Sequence, residues 1–303
     1  MKSPEDLPQI IVSGRALRHA REGHPWIYSN EVKHPDPPLA AGTIVRIIDG
    51  PGHVTGTAFY HPHSLIALRI LALGETTPID RILRDRLRSA AALRETLFPG
   101  GPFHRLVHGE SDGLPGLIVD RYGDAYSLQA LSAGMDRHMP QILSALEELF
   151  HPDLVIERND TPLREAEGLP RRKGVIGGSG PSTRLIREGD AVFEVDLLEG
   201  QKTGFFYDQR EARAFLAGSS RGTRVLDLFC CEGAFAVRAA KAGAVNVLGI
   251  DVSDRAVGRA AKNAEINGVQ ERCEFIAEDA FHALDRLQRE ERRFDRVVVD
   301  PPS

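Results

Sequence analysis

From Gly222 onward the sequence alternates strictly between short apolar runs and amphipathic stretches. TRVLDLF, AVNVLGID, CEFIAED and FDRVVVD read as strands, and GAFAVRAAKAG, SDRAVGRAAKNAEING and AFHALDRLQRE separate them as helices. Strands that are apolar throughout need burial on both faces, and strands joined by helical crossovers run parallel. This part of the chain therefore predicts an α/β fold, a parallel sheet with helices on both sides.

Such a sheet takes its ligand beyond the carboxyl ends of its strands, at the point where the strand order reverses. Four acids fall at or just past those ends: Asp227, Asp251, Asp279 and Asp300. Asp227 precedes the loop LFCCEGAF, where Gly233 opens the next helix and allows a ligand close to the backbone. Asp251 ends the second strand, where a carboxylate can hold both hydroxyls of a ribose, as in dinucleotide-binding folds. Those folds set pyrophosphate on a G-x-G-x-x-G turn, and CCEGAF has a single glycine. The pattern disfavours a pyrophosphate cofactor and favours a nucleoside with an amino-acid tail, S-adenosylmethionine. Asp279 would then accept from the adenine amino group, while Asp227 and the loop amides face the methionine end. Helix capping is the alternative for each acid, and Asp279 and Ser253 are well placed for it.

Upstream the rhythm differs. Between residues 9 and 73, runs such as GTIVRIIDG, VTGTAFY and LIALRILAL alternate with Gly, Pro, His and Asp turns, which predicts a small β-rich domain. PIDRILRDRLRSAAALRETLF carries a helical period, with Asp80 as its expected N-cap and Pro99-Gly100-Gly101 as its end. GLIVDRYGDAYSLQAL predicts a hairpin, RHMPQILSALEELF a helix, and DLVIERN and AVFEVDLLEG further strands around a Gly-rich loop. That makes a β-β-α-β-β middle domain, with expected boundaries at 1–75, 76–200 and 201–303.

The net charge of −5 announces no nucleic-acid binder, so RNA contact would require a local basic patch. Candidates are Arg81, Arg84 and Arg88 on one helix face, and Arg171, Arg172 and Lys173 in the loop PRRKG. A solvated, self-paired face is the alternative for the first group. Three cysteines, Cys230, Cys231 and Cys273, suit neither a disulfide framework nor a metal site. No signal peptide or membrane span is evident, and the cytoplasm is the natural compartment.

The stretches GQKTGFFYDQREAR, VLDLFCCEGAFAVRAAKAGA, GIDVSDRAVGRAAKNAEINGV, EDAF and DPPS resemble the RlmI-type family of ribosomal-RNA large-subunit methyltransferases. SGRALRHAREGHPWIYSNEV resembles that family's N-terminal PUA domain, and HGESDGLPGLIVDRYGD its central domain. The resemblance spans the chain. It implies a class I, Rossmann-like methyltransferase sheet preceded by a PUA-like RNA-binding domain and a central α+β domain. Large-subunit ribosomal RNA is the implied partner, without a membrane; a homodimer is left open. It further implies cofactor contacts from Phe206, Gln209, Arg210, Asp227, Phe229, Gly233, Asp251, Val252, Asp279 and Ala280, with Asp300, Pro301 and Pro302 lining the base pocket. For Gln209 and Arg210 a helix start paired with Glu211 is the alternative, and for DPP a rigid strand exit. The chain departs from the family at Cys231-Glu232 and at Ala234.

The implied reaction is methylation of cytosine carbon 5, in which a cysteine thiolate first adds to carbon 6. The family's nucleophile follows the DPP loop at a position after Ser303. The three cysteines present are expected to be structural. VVVD would be an uncovered sheet edge in a chain ending at Ser303. The sequence is therefore expected to be a truncated stretch of a longer enzyme, binding cofactor weakly and not turning over. A methyltransferase acting on an exocyclic amine, and a non-catalytic RNA-binding module, are the competing functions.

Overall fold

The computed structural model describes residues 6–74 and 77–301, which form two compact units. The first holds residues up to Pro181 together with Gln201–Thr203. It opens with β1 (Gln9–Ile11), α1 (Gly14–Arg21), β2 (Trp26–Tyr28), β3 (Thr43–Ile48), β4 (Val54–Tyr60) and β5 (Ile66–Leu73). These strands make one sheet in the order β1-β3-β4-β5-β2. Alternation along it sends Val45, Ile47, Ala58, Tyr60 and Leu68 into a core that the apolar stripe Ala16 and Leu17 of α1 also enters. Ser13 caps α1 by accepting from the Ala16 amide.

The long helix α2 (Ile79–Leu97) starts after Pro78, so Asp80 lies in its first turn and is not the N-cap. An acid there still favours the positive helix end. The rest of the first unit comprises β6 (Phe103–His108), β7 (Leu117–Tyr122), β8 (Ala125–Ala130), α3 (Ala133–Arg137), α4 (Met139–Phe150), β9 (Leu154–Asn159) and β10 (Arg172–Gly178). Its second sheet runs β10-β9-β8-β7-β6, and α2 and α4 bury Leu83, Leu87, Ile142 and Leu146 with Val107, Val119 and Leu128. The β-β-α-β-β expectation lacked β6 and β10. FHRLVH is half charged or histidine, and RKGVIGG is nearly half glycine, so neither run looks apolar.

The second unit holds Ser182–Gly200 and the chain from Gly204. It begins with a hairpin, β11 (Thr183–Glu188) and β12 (Ala191–Asp196). There follow α5 (Arg210–Gly218), β13 (Arg224–Leu228), α6 (Ala234–Lys241), β14 (Asn246–Asp251), α7 (Asp254–Ile266), β15 (Cys273–Ala277), α8 (Ala280–Arg289) and β16 (Arg296–Val299). The four strands after the hairpin are all parallel, ordered β15-β14-β13-β16. The strict alternation of the sequence becomes this sheet. Leu226, Leu228, Leu248 and Ile250 share one face and pack under Ala280, Ala283 and Leu287 of α8.

AVFEVDLLEG, expected in the central domain, forms part of a hairpin that packs with the second unit. Asn263 of α7 and Asn267 at its C-cap accept from the Glu194 and Val192 amides at 2.8 and 2.9 Å. Two amides of β12 thus find side-chain acceptors on a helix 69 and 75 residues further on.

Candidate active site

The strand order reverses at β13: the chain moves outward through β14 and β15, then returns to place β16 on the other flank. The carboxyl ends of β13, β14 and β16 thereby bring Asp227, Asp251 and Asp300 to one end of the sheet.

Asp251 organises that end. One of its oxygens accepts the Cys231 amide at 2.9 Å and the other the Ser253 amide at 3.0 Å. The loop it holds has three left-handed residues, Phe229 (φ 61°), Cys231 (φ 50°) and Gly233 (φ 77°). Side-chain-bearing residues enter that region at a cost of about 1–3 kcal/mol each, so the anchor must offset real strain. Each carboxylate oxygen retains a lone pair for a further donor.

Gly233 is required for a reason other than ligand approach. A Cβ there would stand 2.8 Å from the Cβ of Ala260 and 3.2 Å from its Cα, so the missing side chain lets α6 close on α7. Glu232, one of the departures from the family pattern, turns to the same helix: its carboxylate takes Arg259 at 2.7 Å, and Arg259 also holds Asp196 at 2.8 Å. That pairing accounts for a buried acid in this loop.

Asp227 is 1% exposed and accepts the Ala236 amide at 3.1 Å. Burial, with the charges of Asp300 and Asp251 nearby, pushes its carboxyl up to about 7. A carboxyl raised on folding supports stability in acid and loses that contribution as pH climbs through the folded value. Between pH 5 and 8 the protein should therefore lose roughly 2–3 kcal/mol that an Asp227→Asn variant does not. Denaturant unfolding of both proteins at the two pH values checks this, and parallel pH dependence would refute the assignment.

Asp279 caps α8, accepting the Phe281 and His282 amides at 2.9 and 3.1 Å through a single oxygen and leaving the other unused there. Capping and adenine recognition are thus compatible. Ala280 packs in the core under α8, so only its backbone can face a ligand. Val252 is 76% exposed and Phe281 72% exposed, just beyond β14 and β15. Phe281 was missed by the sequence reading; a large apolar residue directly after Asp279-Ala280, at the start of a helix, was the available signal. Phe229 is half-buried against the core beneath α8.

Asp300 is exposed and accepts from the Gln209 side chain at 3.3 Å. Arg210 pairs with Glu188 at 3.7 Å and lies over the Tyr207 ring. Phe206 is half-buried, and its carbonyl accepts from Arg213 at 2.9 Å. Pro301 is exposed, and Pro302 lies outside the described residues.

The cysteines are poor nucleophiles. Burial raises all three thiols, Cys231 and Cys273 to about 12 and Cys230 further. Nor do the expected basic patches stand free. Arg81 and Arg88 pair with Asp85, Arg84 with Glu148, and Arg171 with Glu165. Arg172 lies in β10, bonded to Asp136 at 2.7 Å and Glu157 at 2.9 Å, so it belongs to a strand and not to an adaptable loop. Trp26 donates from Nε1 to Glu110 at 2.9 Å. A patch that does stand free is on α1, where Arg15, Arg18 and Arg21 are exposed with no acidic partner among the described residues. The three-residue spacing in RALRHAR was the signal for it.

Residues 10–73 match the model of a PUA-like domain, and residues 175–303 that of an S-adenosylmethionine-dependent methyltransferase. The chain is 36% identical to ribosomal RNA large subunit methyltransferase I of Pseudoalteromonas translucida, across 92% of this chain and 72% of that protein. To its namesake in Klebsiella pneumoniae it is 34% identical, across 98% and 75%. The chain belongs to the ribosomal RNA large-subunit methyltransferase I family. A Streptococcus mutans methyltransferase structure superposes with a TM-score of 0.82 at 21% identity, covering 98% of this chain and 77% of that one. Another methyltransferase structure, complexed with SAH, gives 0.84 at the same identity and coverage. Both establish the class I fold.

The cofactor of this methyltransferase is S-adenosylmethionine, and the residues present suit it. Acids at the strand ends would repel a pyrophosphate but can accept from ribose hydroxyls and an amino group. Val252 and Phe281 offer apolar surface to a purine face. Among the described residues no helix is long and apolar enough to cross a membrane.

Proposed function

We propose that this protein methylates carbon 5 of a cytosine in large-subunit ribosomal RNA, in the cytoplasm where that RNA is found. The observation that carries the reading is the meeting of Asp227, Asp251 and Asp300 at one sheet end, in a chain more than one third identical to a ribosomal RNA large subunit methyltransferase I. Cofactor contacts are assigned to Asp251, Val252 and Phe281 at the nucleoside and to Asp227 with the Phe229–Gly233 loop at the methionine end. Asp279 offers its spare oxygen and Ala280 its backbone, while Phe206, Gln209 and Arg210 flank the site. Asp300 and Pro301 line the base pocket, with Gln209 orienting the Asp300 carboxylate.

The target base leaves its stack to reach that pocket. A thiolate adds to carbon 6, carbon 5 becomes nucleophilic and takes the methyl group, carbon 5 then loses its proton, and the thiolate leaves. The cofactor supplies the electrophilic methyl. Burial holds the Cys230, Cys231 and Cys273 thiols above their ordinary range, and the thiolate's part is assigned to a cysteine outside the 303 residues. The same observation favours, as a second reading, transfer to an exocyclic amine that donates to Asp300. The intact acids at the strand ends speak against a decayed, purely RNA-binding module.

RNA binding tests the substrate half of the proposal. Replacement of Arg15, Arg18 and Arg21 by uncharged glutamine should weaken binding of deproteinised large-subunit RNA at least about tenfold, and flatten its salt dependence by about two phosphate contacts. Filter binding across a salt series reads both; an unchanged slope removes α1 from the RNA interface.

A further inference from the structure

At the opposite end of the same sheet from Asp251, a cleft of about 510 Å³ is lined by Arg221, Lys241 and Arg272 with the loop Ala242–Val245. Several other arginines of the second unit are committed to carboxylates: Arg210, Arg213, Arg224, Arg238, Arg255 and Arg259 each sit against one. Arg221, Lys241 and Arg272 have no acidic partner among the described residues, and they converge. The backbone holds them in place. Gly222 donates to the Gly243 carbonyl at 2.9 Å, and Val245 to that of Thr223 at 2.9 Å, locking the two loops together. Gly243 takes φ +99°, and a Cβ there would touch the Arg221 stem at 3.6 Å, so the arginine lies along the glycine. Arg272 donates to the Ala240 carbonyl at 3.3 Å in the last turn of α6. With Lys241 it offsets the negative helix end that would otherwise repel an anion.

We infer that this cleft is a second contact for the phosphodiester backbone of the ribosomal RNA substrate, remote from the target base. The inference rests on the RNA reading proposed above. Three converging cations on a chain of net charge −5 suit a polyanion, and a strand of five residues places them about 17 Å from the acid end. Only an RNA long enough to pass both ends of the sheet would use them.

The test compares the wild-type chain with Arg221→Gln/Lys241→Gln, and with Arg272→Gln as an independent variant. Each is scored for binding of deproteinised large-subunit RNA, of a cytidine trinucleotide and of inorganic pyrophosphate, across a salt series, with S-adenosylhomocysteine binding and thermal melting as checks on folding. The expected result is about a tenfold loss for the long RNA in the double variant, with a salt slope shallower by roughly 1.5, and no change for the trinucleotide. Unchanged affinity and slope for the long RNA would overturn the inference while leaving the substrate reading intact. Loss confined to inorganic pyrophosphate binding would also overturn it, assigning the cleft to a small anion. Wild-type protein that binds no large-subunit RNA would remove the substrate reading itself.

Discussion

Replacing Asp251 by alanine should weaken S-adenosylhomocysteine binding at least about 100-fold, as measured by titration calorimetry. The carboxylate has two tasks in one position. Its oxygens hold the Cys231 and Ser253 amides, and the proposed function gives their remaining lone pairs to the ribose hydroxyls. Hydrogen bonds to a charged group contribute about 1.5–3 kcal/mol each, so losing two from the ligand accounts for the factor. The loop adds to it, because the left-handed Cys231 loses the acceptor that holds it. Asparagine should retain part of the affinity, since one oxygen and the shape survive. Exposed Asp254, three residues further on, is the control, and its alanine variant should bind like wild type. An Asp251→Ala protein binding within about threefold of wild type would remove this acid from the cofactor site.

The largest loss of stability is expected from Arg213→Met. Arg213 is 1% exposed and grips Glu188 through two bonds of 2.7 and 2.6 Å, with a third to the Phe206 carbonyl and its guanidinium 4.7 Å from the Phe205 ring centre. Removing one partner of such a pair strands the other charge, at about 3–5 kcal/mol. Arg210, 3.7 Å from Glu188, replaces little of the lost contact. The single tryptophan, Trp26, lies in the first unit, so its fluorescence is the wrong probe. Hydrogen exchange in β11, β12 and α5 reports the second unit directly, and should accelerate there by the corresponding factor. A change below about 1 kcal/mol would mean that Glu188 finds full compensation elsewhere. Arg213 closes the YDQREAR stretch, so part of that signature is structural: it ties α5 to the hairpin beneath the cofactor side.

The methyltransferase sheet was legible because its signal is local: uniformly apolar strands, helices between them, and an acid at each strand end. What escaped was set by distance or by composition. RKGVIGG hides a strand behind glycine, and FHRLVH hides one behind charge and histidine. Asn263 and Asn267 look like ordinary helix residues until the fold brings β12 alongside them. Glu232 makes sense only once Arg259 is placed opposite it. The expected basic patches failed for a related reason, since sequence spacing shows cations together but not the acids that neutralise them across a fold. Arg84 and Glu148 are 64 residues apart. Asp251 ends β14 and Asp279 caps α8 just past β15, both legible from the strand pattern, whereas Gly233 serves helix packing and Ala280 the core.

The central claim is that the chemistry ends on carbon 5 of a ribosomal cytosine. The most direct measurement is mass spectrometry of large-subunit ribosomal RNA from cells in which the coding gene has been disrupted, against the parent and a complemented strain. The disrupted strain should lack one methyl group on carbon 5 of a single cytosine, restored by the gene. Unchanged large-subunit RNA, or a missing methyl that sits on an exocyclic amine, would contradict it.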